Sequence, residues 1–221
     1  MTTRAALLVL ADGRFPAGGH AHSGGAEPAV TAGRIRDPRS LADFCLGRLH
    51  TTGLTAAALA AAAAHGLDPL ALDEAADART PSPALRAVAR KLGRQLMRAA
   101  RATWPGPELD ALATARPRGA HQPVVLGLTA RVAGLGPEDA AHCVAYETVS
   151  GPATAVVRLL SLDPFEATAV LARLAPALDR VAEQAAAAAR EGIDALPAAS
   201  APLLDIAAEA HAARPVRLFA S

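Results

Sequence analysis

Proline placed directly after a capping residue recurs along this chain, and it constrains the fold more than any other feature. Asp37-Pro38, Asp68-Pro69, Ser82-Pro83, Gly136-Pro137 and Asp163-Pro164 each precede a run rich in alanine, leucine, glutamate and arginine. Proline suits a first helical position because its φ is preset and its missing N–H would go unpaired there anyway. An Asp or Ser before it can accept the next free N–H groups. The runs that follow are strong helix formers, and none shows the strict alternation of a half-buried strand. The pattern predicts an all-α, single-domain bundle of about eight to ten helices with no βαβ unit. Helices are expected near 4–12, from Ser23 or Gly24 to Gly33, from Pro38 to His65, from Pro69, over 83–103, from Pro137 to about Leu162, from Pro164 to about Gly192, and over 202–213. Loops are expected at 78–85, at "WPGPEL" and at "RPRGAHQP".

Such a bundle must be built from small side chains. The 221 residues are 52% hydrophobic, with alanine prominent, but only 3% aromatic. Each helix therefore buries little area and its neighbours must come close. A core so short of large side chains gains further burial by association, so a homodimer is expected. The formal net charge of +1 gives no global attraction to nucleic acid or membrane. Cys45 and Cys143 lie far apart and read as small apolar residues rather than a disulfide or a zinc site. The apolar run Ala5–Ala11 is seven residues long, well short of the ~18 that a membrane span needs. A cytoplasmic protein is expected.

The stretch "FPAGGHAHSGGAE" (15–27) gathers glycines and histidines and admits three readings. A phosphate cradle needs a strand before its glycines, and the chain has neither that strand nor a GxxxxGK[ST] motif. Gly18, Gly19, Gly24 and Gly25 instead suit positive φ or a close helix crossing. His20 and His22 are weak metal candidates: two apart, their rings point to opposite sides of an extended segment, or ~200° apart on a helix. A structural or interface role is the main reading. The remaining histidines, 50, 65, 121, 142 and 211, are dispersed.

Arg86, Arg90, Arg94 and Arg98, followed by Arg101 and flanked by Lys91, form a basic ridge opposite Leu85, Val88, Leu92 and Leu96. The ridge is either a solvated face or a docking surface for an acidic partner, and reversing Arg90 and Arg94 to glutamate is expected to leave the fold intact. Nucleic acid is a minor alternative, since aromatic stacking platforms are missing. Glu27, Asp139, Glu147 and Ser150 have no catalytic spacing, and "SGPA" (150–153) is not a nucleophile elbow. The residues thus read as a helical interaction protein without catalysis. A helical hydrolase using His22 or His121 with a carboxylate is the competing class. In the terminal "RPVRLFAS" (214–221), Pro215 halts the last helix, and Leu218 and Phe219 either fold back into the core or become ordered against a partner.

Five patches, in order, carry a resemblance: "DGRFPAGGHAHSGGAE" (12–27), "KLGRQLMR" (91–98), "HQPVVLG" (121–127), "AYETVSGPATAVVRLLSL" (145–162) and "PLLDIAAEAHAARPVRLFAS" (202–221). They resemble the motifs of the UreF family of urease accessory proteins over nearly the whole chain. The first is similar to D-S-x-F-P-x-G-x-x-x-H-S-x-G-L-E, the second to R-x-x-G-x-x-L-L, the third to H-x-P-V-V-x-G. Ala26, Asp163-Pro164 and Pro215 depart from the family pattern. The resemblance implies an all-helical, non-catalytic, dimeric chaperone that binds a UreD/UreH-type protein, recruits a UreG-type GTPase and helps load nickel into apo-urease. It implies no tightly bound cofactor, with nickel at most in transit, and no nucleic-acid or membrane partner. Partner contacts are expected at Phe15, His22, Ser23, Glu27, Arg90, Arg94, Arg217, Leu218, Phe219 and Ser221, with the tail 214–221 ordered by the UreD/UreH-type protein.

Overall fold

The computed structural model describes residues 4–220, all of whose regular structure is helical. The helices are α1 (Arg4–Leu10), α2 (Ala26–Thr31), α3 (Pro38–Arg48), α4 (Leu54–His65), α5 (Pro69–Ala78), α6 (Pro83–Thr103), α7 (Pro107–Ala115), α8 (Gln122–Val132), α9 (Pro137–Leu160), α10 (Pro164–Arg190) and α11 (Pro202–Ala212). The proline signals mark helix starts as expected. Asp37 Oδ1 accepts the Ser40 N–H at 2.7 Å while Ser40 Oγ accepts the Asp37 N–H at 3.1 Å, closing a capping box. Asp68, Ser82 and Asp163 cap α5, α6 and α10 in the same sense.

The centre of the bundle is α4, whose alanines 57, 58 and 60–64 are buried all round. A helix apolar on every face must be enclosed, and α8, α9 and α10 enclose it. Small residues set the distances between them. A Cβ on Gly127 of α8 would lie 2.0 Å from the Ala60 carbonyl oxygen, so α8 crosses α4 almost backbone to backbone. The longest pair, α9 and α10, packs side by side after a turn at Ser161, which takes φ 51° without being glycine.

Three elements depart from expectation: α7 begins at Pro107 inside the expected "WPGPEL" loop, α8 begins at Gln122 inside the expected "RPRGAHQP" loop, and one rod holds an irregular turn. The rod from Pro38 to His65 is continuous but contains a π-helical turn at Leu49–Gly53. Gly53 permits it: a Cβ there would stand 2.8 Å from Thr148 Cγ2 and 3.0 Å from the Arg48 carbonyl. The extra residue per turn widens the rod where α9 leans on it, and such turns often mark functional regions.

Candidate functional site

A cavity of about 1040 Å³ opens between α2, the π turn, α6, α9 and α11. Each of the five sequence patches reaches it. His22 comes from the first, Leu92 from the second, Gln122 from the third, Glu147 from the fourth and Phe219 from the fifth. Stretches up to two hundred residues apart in the chain thus share one wall-to-wall surface.

The glycine-rich stretch forms its rim. Gly18, Gly24 and Gly25 take φ of 82°, 58° and 86°, conformations that any Cβ would strain, and Gly19 begins a short 3-10 turn that carries His20. Phe15 stacks on Trp104 with ring centroids 5.8 Å apart, fastening the stretch to the end of α6. Ser23 is buried, and its Oγ accepts the Glu27 N–H at 3.3 Å near the start of α2. Arg48 then ties the rim to α9: Nη1 donates to the Gly24 carbonyl at 2.5 Å and Nε to the Thr148 carbonyl at 3.4 Å. Sequence reasoning missed Arg48, and no local spacing signals it, because its partners are carbonyls remote in the chain.

His20 is exposed and His22 buried, and among the described residues no three His, Cys, Asp or Glu side chains are placed to hold a metal ion. Burial, with help from the nearby Lys91 and His20 charges, pushes His22 down to about 4, so its ring is neutral at physiological pH. Glu147 shows the opposite response. Burial raises its carboxyl to about 7 against the lowering effect of Gln122, whose Nε2 donates to Glu147 Oε2 at 2.7 Å. Cys45 and Cys143 are pushed up to about 11 and about 12 by burial and remain thiols.

The arginine ridge divides. Arg90 turns inward and bridges Asp73 and Asp77, at 3.1 and 2.5 Å, while also donating to the Gly119 carbonyl at 2.8 Å. Asp73, only 1% exposed, collects the His121 N–H at 2.8 Å and Arg116 Nε at 2.8 Å as well. Asp77 Oδ1 meets His121 Nε2 at 2.8 Å. This network knits α5, α6 and the α7–α8 connection together, so the expectation that Arg90 can be reversed without cost to the fold is corrected. Arg86 is likewise engaged with the Thr80 and Pro81 carbonyls, and Arg94 donates to the Arg118 carbonyl although its side chain is exposed. Lys91, Arg98 and Arg101 remain at the surface. Asp73 and Asp77, four apart on α5, were the readable sign of a matching acidic partner within the chain.

The terminal segment folds back on the molecule. Phe219 is 5% exposed, with the Arg158 guanidinium 6.0 Å from its ring centre. The N–H groups of Leu218 and Phe219 donate to Glu27 Oε1 and Oε2, both at 2.9 Å, and the Ala220 N–H donates to the Ala21 carbonyl at 2.8 Å. Of the two readings of the tail, core packing is the one that describes Phe219 here, and Glu27 faces the tail rather than solvent. Leu218 and Arg217 are exposed, whereas Ser221 lies outside the described residues.

Comparison of the sequence with known proteins gives a family match. The UreF family model matches residues 35–175. The chain is 47% identical to the urease accessory protein UreF of Mycobacterium sp. strain JLS, 45% identical to that of Mycolicibacterium vanbaalenii and 42% identical to that of Mycobacterium tuberculosis H37Rv, covering the whole length of both chains in each case. A helical bundle whose five UreF-like patches meet at one cavity, and whose full length aligns with these relatives, belongs to the UreF family of urease accessory proteins.

Proposed function

We propose that this chain acts as a non-catalytic scaffold in urease maturation, joining a UreD/UreH-type protein to a UreG-type GTPase so that GTP hydrolysis is coupled to nickel delivery into apo-urease. It works as a homodimer in the cytoplasm, and nickel is cargo of the assembly rather than a resident ion. The observation that supports this most is the convergence of all five patches on one cavity and its rim, a shared surface rather than a catalytic constellation. The hydrolase alternative loses ground because His121 is buried and its Nε2 is already engaged by Asp77. The nucleic-acid alternative loses ground because Arg90 serves an internal network.

The docking face for the UreD/UreH-type protein lies on α11 and the tail, where Leu203, Ile206, Val216 and Leu218 are exposed. Large apolar side chains left in water at one end of a molecule suit burial by a partner. Co-expression with a UreD/UreH-type protein, a UreG-type GTPase and apo-urease tests the scaffold. The chain is expected to copurify with both accessory proteins and to be required for urease activity. Isolation of the chain alone, with urease activated equally well in its absence, overturns the reading.

A further inference from the structure

Arg48 is a half-buried cation that no carboxylate answers. Other half-buried arginines are satisfied within the chain. Arg90 and Arg116 share Asp73, and Arg79 gives four hydrogen bonds, to the carbonyls of Ala75, Ile193, Leu196 and Pro197. Arg48 gives two, to the Gly24 carbonyl at 2.5 Å and the Thr148 carbonyl at 3.4 Å, and forms no ion pair among the described residues. A guanidinium carries five N–H donors, so more than half of this fork has no acceptor there. Burial lowers the Arg48 pKa from its ordinary 12.5, and the opposing influence comes from Cys45, which stays a thiol. Charges withdrawn from water in this way are ordinarily paired.

The groups around the fork suit a negative ligand. A Cβ on Gly24 would stand 3.4 Å from Arg48 Nη2, and one on Gly25 3.9 Å from Nη1, so the glycine pair keeps side-chain atoms off that edge. Thr52 follows four residues later, inside the π turn. A helical threonine commonly turns its hydroxyl to the carbonyl four residues back, as Thr51 does to Gly47 at 2.8 Å. The Thr52 hydroxyl is buried and has no partner among the described residues. Thr148 of α9 touches both positions: its carbonyl meets Arg48 Nε, and its Cγ2 lies 2.8 Å from where a Cβ of Gly53 would be. Gly24, Gly25, Arg48 and Thr52 all line the large cavity. The wider wall carries the same sign. Arg79, Arg158 and Arg217 join Arg48 there, against Asp12, Glu147 and Asp205. Asp12 is engaged by Arg14, and burial keeps Glu147 largely protonated below about pH 7.

We propose that this part of the cavity binds a small oxyanion, with one oxygen on Arg48 Nη2 and a second on the Thr52 hydroxyl. Carboxylates and tetrahedral inorganic oxyanions share that chemistry. Both donors face an ionised acceptor, which makes such hydrogen bonds about twice as strong as neutral ones. The glycine pair then has a use beyond its backbone turn, because without a Cβ at 24 or 25 the ligand reaches the fork. The site belongs to the chain alone, so failure of the scaffold reading would leave it standing.

NMR titration of the isotopically labelled full chain tests it, at constant ionic strength with chloride as the balancing anion. The probes are sodium sulfate, which is tetrahedral, and sodium acetate, a carboxylate. The Arg48 Nε–H and the amides of Gly24, Gly25 and Thr52 are expected to shift together and to saturate with a Kd below ~10 mM for at least one probe. The probe that saturates at lower concentration identifies which oxyanion shape the site takes. Thr52→Val removes the hydroxyl and touches neither Arg48 bond, and is expected to weaken binding about 10-fold or more. Arg48→Gln is expected to abolish saturation, while Arg98→Gln, on the exposed face of α6, leaves the affinity unchanged. Arg48 also ties the rim to α9, so if Arg48→Gln does not fold, Thr52→Val decides alone. Shifts that fail to saturate with either probe, an affinity indifferent to Thr52→Val, or saturation that survives in a folded Arg48→Gln chain would each overturn the site.

Discussion

At the scale of single residues, the half-buried charges carry the sharpest expectations. Burial raises the Glu147 carboxyl to about 7, above its ordinary 4.5. The folded chain therefore holds a proton there that the unfolded chain releases between those two values. Stability tied to this group is complete below about pH 4.5 and falls as pH rises to about 7. Glu147→Gln removes the ionisation and keeps an amide to face Gln122. Its gain in stability over the unsubstituted chain is expected to be on the order of 1–3 kcal/mol at pH 8 and near zero at pH 4.5. Urea unfolding at both pH values checks it, and an equal effect at the two would show that Glu147 ionises freely in the fold. Arg90 makes the opposite kind of case. Reversal to glutamate leaves Asp73 and Asp77 facing a third carboxylate, and breaking a buried pair costs roughly 3–5 kcal/mol. Thermal melting of Arg90→Glu beside Arg98→Glu separates the inward arginine from an exposed one, whose reversal should cost under ~0.5 kcal/mol.

At the scale of elements, glycine separates packing from mere flexibility. A Cβ on Gly93 of α6 would stand 1.9 Å from the Ala120 carbonyl oxygen, and one on Gly127 meets Ala60 almost as closely. Backbone cannot yield as a side-chain tip can, so Gly93→Ala and Gly127→Ala are each expected to lower stability by ~2 kcal/mol or more. Gly47, in α3, has open space where a Cβ would go. Gly47→Ala should raise stability by about 0.5–1 kcal/mol, through the smaller entropy cost of fixing alanine in a helix. Melting temperatures of the three variants test the contrast, and a uniform response would show that the helix crossings give way. These elements also mark what could be read without coordinates. Helix starts were readable because capping and proline chemistry act within a few residues. The π turn and the Arg48 ties were not, because each depends on atoms that meet where α9 and the glycine-rich stretch pack against the rod from Pro38 to His65, and of the Asp73 network only the two carboxylates four apart on α5 were legible. The "HQPVVLG" patch illustrates the limit: Gln122-Pro123, expected in a loop, begins α8, and the need for glycine at 127 arises only from Ala60.

At the scale of the whole molecule, the tail joins two roles that a simple truncation would confuse. Phe219 belongs to the core, whereas Val216 and Leu218 are 85% and 67% exposed. Removing residues 215–221 takes away core and surface together, so lost partner binding after truncation would not identify a docking face. Point substitutions separate them. Phe219→Ala is expected to lower stability by roughly 2–4 kcal/mol, near the usual cost of deleting a buried ring. Ile206→Glu combined with Leu218→Glu changes only side chains that already stand in water, so stability should shift by less than ~1 kcal/mol. If α11 and the tail form the surface on which the UreD/UreH-type protein docks, the double variant folds normally, no longer copurifies with that protein and fails to activate urease. Light scattering on the double variant then assigns the occupant: a homodimer that persists leaves the face to the accessory protein, while a fall to monomer gives it to a second copy of the chain. Normal copurification and activation by the double variant would place the docking face elsewhere on the bundle.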